Sequence, residues 1–117
     1  MKVTRLSQLL RSLLAIGFTS VVLTAQTQAA VDVPAAEEMM KVSRCNKCHS
    51  LDKKKVGPSF KEVAAKYRDK ADGEAKLVTH LTTGPMIEVD GAKEAHSKVK
   101  STNNAAIKNL AQYILTR

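Results

Sequence analysis

Apolar residues recur at helical spacing in four stretches of the chain. Met39, Met40 and Val42 give an apolar side to a segment from Ala35 to Arg44, and Glu37 and Glu38 are expected in its first turn, where acidic side chains suit the helix dipole. Phe60, Val63, Ala64 and Tyr67 mark a second helix, and Ser59 with Glu62 three residues on forms the capping-box pattern at its start. Leu77, Val78 and Leu81 mark a third, with Asp72 as its expected cap and Gly84-Pro85 as its stop. Ala106, Ile107, Leu110, Tyr113 and Ile114 form the stripe of a last helix that starts near Thr102 or Asn103. Residues 86–100 show no clear period and contain Gly91, which predicts a long loop and no strand. Loops of that length in a compact domain are usually functional. The pattern as a whole predicts an all-α domain of about four helices.

A different order precedes these helices. Lys2, Arg5 and Arg11 come first, with no acid among them; an apolar run through Leu13–Phe18 and Val21–Leu23 follows, then small and polar residues from Thr24 to Ala30. Basic, apolar and small-polar regions in that order make a secretory signal peptide, residues 1–29, with cleavage after Ala29 or Ala30. The apolar run is too short and too broken by Ser and Thr to serve as a membrane anchor, which wants about 20 apolar residues. What remains, 30–117, is one domain. The leader accounts for three of the 19 basic residues, which leaves 16 against 11 acidic side chains, a net +5. An exported chain with that moderate charge and no aromatic-and-basic cluster is a poor nucleic-acid binder. Its positive charge suits an acidic partner surface instead.

The mature part retains two cysteines, Cys45 and Cys48. A disulfide between residues so close closes almost no loop and stabilises little. The run Cys45-Asn46-Lys47-Cys48-His49 has the form Cys-x-x-Cys-His, the attachment sequence of a c-type haem. On the first turns of a helix, cysteines three apart point to one face, where each thiol can add across a haem vinyl group. His49, next in line, supplies the proximal iron ligand. A thioredoxin-like dithiol would need a βαβ setting that the pattern lacks, and a zinc site would need a second Cys/His pair. A covalently held haem also answers how so small a domain is stapled.

On these residues the chain resembles the small bacterial class I cytochromes c. A helix leads into the attachment motif, Val56-Gly57-Pro58-Ser59-Phe60 follows in the expected place, and a C-terminal helix closes the chain. The resemblance implies a class I cytochrome c fold around one covalent haem c, with the last helix crossing the first. It implies that the Pro58 carbonyl accepts from the His49 imidazole, which fixes the ring and raises its basicity. It also implies periplasmic one-electron transfer between partner proteins, with no enzymatic activity of the chain's own.

The family's sixth ligand is normally a Met in the loop before the last helix. Counted back from the C-terminus, that position is His96 here. Neutral imidazole is a competent iron ligand, so His49 and His96 are the favoured axial pair. Met86, after Gly84-Pro85, is the rival distal ligand, and an open position is the third case. An open or labile position would suit binding or sensing of O2, NO or CO, the alternative function. His80 is expected on a helix surface, and Met39 and Met40 in or near the core. Lys47, Lys53, Lys54, Lys55, Lys93, Lys98 and Lys100 are expected to ring the haem edge as a docking surface for an acidic redox partner.

Overall fold

A computed structural model describes residues 29–117; the expected leader, up to residue 28, lies outside the described residues. Helix α1 spans Val33–Val42. Asp32 caps it by accepting the Ala35 N–H at 3.0 Å, and Pro34 sits in the first turn, where its missing N–H costs nothing. The helix therefore starts before the expected Ala35, and Glu37 and Glu38 lie beyond its first turn. It also stops before Arg44, whose left-handed backbone at φ 57° cannot continue a helix. A 3₁₀ turn, Cys45–Lys47, follows directly.

Helix α2, Phe60–Tyr67, starts as its sequence predicts. The Ser59 hydroxyl accepts the Glu62 N–H at 3.2 Å, and the Glu62 carboxylate accepts the Ser59 N–H at 2.7 Å. Helix α3, Gly73–Thr83, starts differently. Asp72 makes no side-chain cap; its carboxylate is ion-paired with Lys76 at 2.8 Å instead. Helix α4, Asn104–Leu115, is capped by Asn103, whose side chain accepts from Ala105 and Ala106.

The expected strand-free loop is corrected between α3 and α4. Met86–Val89 (β1) and Ala92–Ala95 (β2) pair as an antiparallel hairpin, with Met86 opposite Ala95 and Glu88 opposite Lys93. Asp90 and Gly91 link them with φ of 49° and 81°. Two consecutive positive-φ residues are what a two-residue hairpin turn requires, and Asp-Gly is the pair that tolerates them. The domain is mainly helical with this one small sheet among the described residues.

Helix α4 is the centre of the packing. It lies against α1, α2 and α3 and buries Ile107, Leu110, Ala111, Tyr113 and Ile114. The 3.6-residue period puts these on one face, and each fully buried aliphatic chain contributes about 1.5–3 kcal/mol. Opposite them stand Met40 from α1, Phe60 from α2, and Leu77 and Leu81 from α3. Tyr113 donates its hydroxyl to Glu37 at 2.9 Å, and the Asn109 amide bonds both backbone groups of Asp32 at 2.8 Å, so α4 packs on α1 and ties down its start. This frame leaves the 3₁₀ turn, the 50–58 loop and the hairpin's exit to build the site. Among the described residues no helix is long and apolar enough to cross a membrane.

Candidate functional site

The site begins where α1 is forced to stop. The left-handed Arg44 turns the chain, and Cys45 opens a 3₁₀ turn rather than a regular helical one. At three residues per turn, side chains three apart eclipse one another, so Cys45 and Cys48 line up on one face. The Cys48 and His49 N–H groups both donate to the Cys45 carbonyl, at 3.2 and 3.0 Å. Cys45 is half-buried and Cys48 exposed. Burial pushes the Cys45 thiol above its ordinary pKa, with a smaller push from Cys48, while its own backbone pulls the other way.

His49 is held on three sides. Its Nδ1 lies 2.6 Å from the Pro58 carbonyl oxygen. A carbonyl only accepts, so Nδ1 carries the proton and Nε2 keeps its lone pair for a metal. The Phe60 ring stacks on the imidazole with centroids 5.1 Å apart and planes at 29°. Gly57 closes the third side: a Cβ there would come within 2.7 Å of His49 Cε1. The Gly57 N–H donates to the Cys48 carbonyl at 2.8 Å, so this close approach is built into the backbone.

His96 follows the last residue of β2, and its N–H donates to the Pro85 carbonyl at 2.9 Å. Its ring faces that of His49, centroids 6.1 Å apart and planes at 49°. Burial, then the neighbouring His49, lowers the His96 pKa, partly offset by the Ser97 backbone, which favours the neutral ring that binds metal. Its Nδ1 is buried without a hydrogen-bond partner. Met86, at the start of β1, is 64% exposed.

His80 departs from its expected surface position. It is half-buried, and its ring meets that of His96 with centroids 4.3 Å apart and planes at 65°. Burial first, then His96, His49 and Lys66, lower its pKa. A signal was available in the chain: with Leu77 and Leu81, His80 completes the i, i+3, i+4 pattern of one helix face. Met40 is buried and Met39 packs against the core, as expected of both. Lys47, Lys53, Lys54, Lys55, Lys93, Lys98 and Lys100 are all exposed. Lys55 donates to the Asn46 carbonyl at 2.6 Å, which joins the lysine loop to the cysteine turn.

These groups fit a haem. Two aligned thiols flank a histidine whose Nε2 is free to coordinate, and a second imidazole stands across from it. Among the described residues, no group of three or more His, Cys, Asp or Glu side chains is arranged to hold a bare ion.

The family model for cytochrome c matches residues 34–117. The chain belongs to the cytochrome c family. It is 35% identical over 80 residues to cytochrome c-551 of Azotobacter vinelandii, a match covering 68% of this chain and 94% of that one. With cytochrome c-551 of Pseudomonas denitrificans it shares 50% identity over 48 residues, 41% of this chain and 58% of the relative. The crystal structure of the class 1 cytochrome MtoD from Sideroxydans lithotrophicus ES-1 superposes with a TM-score of 0.71 at 48% identity, covering 74% of this chain and 97% of that one. The chain is thus a small bacterial class I cytochrome c, with one covalent c-type haem and the role of a haem-based electron carrier.

Proposed function

We propose that this cytochrome is an exported, periplasmic one-electron carrier whose haem iron is held by His49 on the proximal side and His96 on the distal side, and that it is not itself an enzyme. The observation that carries the axial pair is the facing of the two imidazoles at 6.1 Å, set against a Met86 side chain that is 64% exposed. When bound, the haem supplies a single iron that cycles between ferric and ferrous states. Cys45 and Cys48 would hold the porphyrin as thioethers. Pro58 keeps the His49 proton on Nδ1, so that Nε2 is presented in one orientation. Two protein ligands would leave no open coordination position, which would suit outer-sphere transfer rather than oxygen chemistry. The exposed lysines would steer an acidic partner toward the site.

The test is the optical spectrum of the oxidised holoprotein with three variants. A bis-histidine site lacks the weak near-infrared-edge band of sulfur on ferric haem. His96→Ala is expected to open the oxidised iron to added imidazole and the reduced iron to CO, and Met86→Leu to leave the spectrum unchanged. A sulfur band that is present, and lost only in Met86→Leu, would replace His96 by Met86 and leave the electron-carrier reading intact. His96→Met should raise the midpoint potential, because thioether ligation disfavours the ferric state relative to imidazole.

A further inference from the structure

An axial imidazole needs something to fix its plane. For His49 that is the Pro58 carbonyl, 2.6 Å from Nδ1. His96 has no bond of that quality: its Nδ1 is buried without a partner of hydrogen-bond geometry, and the backbone of Ser97, next in the chain, is the smallest influence on the ring. The His96 ring meets another ring edge-on, that of His80, at 4.3 Å and 65°. This tilted, edge-to-face approach is a favoured arrangement of aromatic rings.

His80 is itself well anchored. It stands beside Leu81 and one turn from Leu77, both buried, near the C-terminal end of α3. The same helix end grips the His96 segment by its backbone. The Pro85 carbonyl accepts the His96 N–H, and the Leu81 carbonyl accepts the Val99 N–H, both at 2.9 Å. Leu81 of α3 and Pro85, two residues past its end, therefore hold the segment's backbone on the two sides of the ring, and α3 meets the ring itself through one side chain.

We propose that His80 is the positioning residue for the distal ligand: its ring, carried rigidly by α3, sets the plane of the His96 imidazole and keeps it closed over the site opposite His49. The proposal rests on the reading of His96 as that ligand. Without the His80 ring, the backbone tethers would still hold the His96 segment near, but the imidazole would lose its lateral stop. It would swing away more often and settle in a different mean plane. A single aromatic contact of this kind amounts to a factor of up to about ten in such an equilibrium.

The experiment compares holoprotein carrying His80→Ala, His80→Leu, His80→Phe and His96→Ala. Two readouts are taken: the low-temperature electron paramagnetic resonance g values of the ferric form, which follow the angle between the axial ligand planes, and the rate of CO binding to the ferrous form. His80→Ala and His80→Leu are expected to shift the g values and to speed CO binding by about tenfold. His80→Phe, which restores a ring edge without a nitrogen, is expected to return both toward wild type. His80→Leu fills the space without a ring, so it gives the answer even if His80→Ala does not fold. Wild-type g values and CO rates in His80→Leu, or failure of His80→Phe to restore them, overturn the proposal. If His80→Leu behaves as wild type while His96→Ala opens the iron, only the positioning role is lost. If His96→Ala changes neither readout, the distal assignment itself has failed.

Discussion

His49 and His96 are fixed by unlike means, and the difference decides what single substitutions do. The His49 ring is confined by a hydrogen bond, a stacked Phe60 and the bare backbone of Gly57, where a Cβ would approach Cε1 to 2.7 Å. Gly57→Ala should push the ring off the Pro58 carbonyl and destabilise the holoprotein by about 1–3 kcal/mol, the usual cost of overpacking. Thermal melting and the midpoint potential check this together, since a displaced proximal ring loses its fixed orientation as well as packing; unchanged values of both would mean that the loop yields instead. These residues were legible because Cys45, Cys48 and His49 are contiguous and their spacing has a local mechanical meaning. His80 was not, because its meeting with His96 joins α3 to the segment after β2, and no local pattern encodes that. Helical spacing could place it on the inner face but could not name its neighbour.

At the scale of elements, the sequence was most readable where a single residue pair closes a single turn. Ser59 and Glu62 form their capping box in full. The Ser59 backbone and then its side chain hold the Glu62 carboxyl below its ordinary pKa of 4.5. A depressed carboxylate contributes stability that is present above the unfolded pKa and lost as pH falls through the folded one. The start of α2 should therefore loosen below about pH 4.5, and Glu62→Gln should flatten that part of the acid-unfolding curve; an unaltered curve would assign the acid sensitivity elsewhere. Asp72 shows the limit of such reading, because the same residue type that caps a helix also pairs with a lysine four residues on, and here the Lys76 ion pair wins. The hairpin was missed for a related reason. Its strands are four residues each, too short for a period to emerge, and the signal lay in Asp90-Gly91, whose positive φ values the turn requires. Gly91→Val should weaken the hairpin by about 1 kcal/mol or more while leaving the Val99–Leu81 tether, read as faster amide exchange in residues 86–95 but not at Val99.

At the scale of the whole molecule, the helices and their order were legible because one long amphipathic stripe, on α4, organises the other three. Two properties of the assembled domain go beyond its elements. The first is charge. Lys53, Lys54 and Lys55 are exposed beside the cysteine turn, and Lys55 is tethered to it. Replacing all three by Gln should slow electron transfer to an acidic partner at low salt and flatten the salt dependence, with the midpoint potential almost unmoved. The second is the size of the core. The apolar cluster rests on a handful of large side chains, chiefly Met40, Phe60, Leu77, Leu81, Leu110 and Tyr113. A domain of this length buries too little of its surface to be comfortably stable without a staple. A covalently attached c-type haem, which the family carries, would fill that part. The double variant Cys45→Ala/Cys48→Ala should then lose stable haem attachment and, with it, cooperative folding. Circular dichroism and melting of the purified variant decide the matter: weak helicity with a broad, shallow transition is expected, and a sharp two-state melt of a fully helical apoprotein would show that the polypeptide core suffices alone.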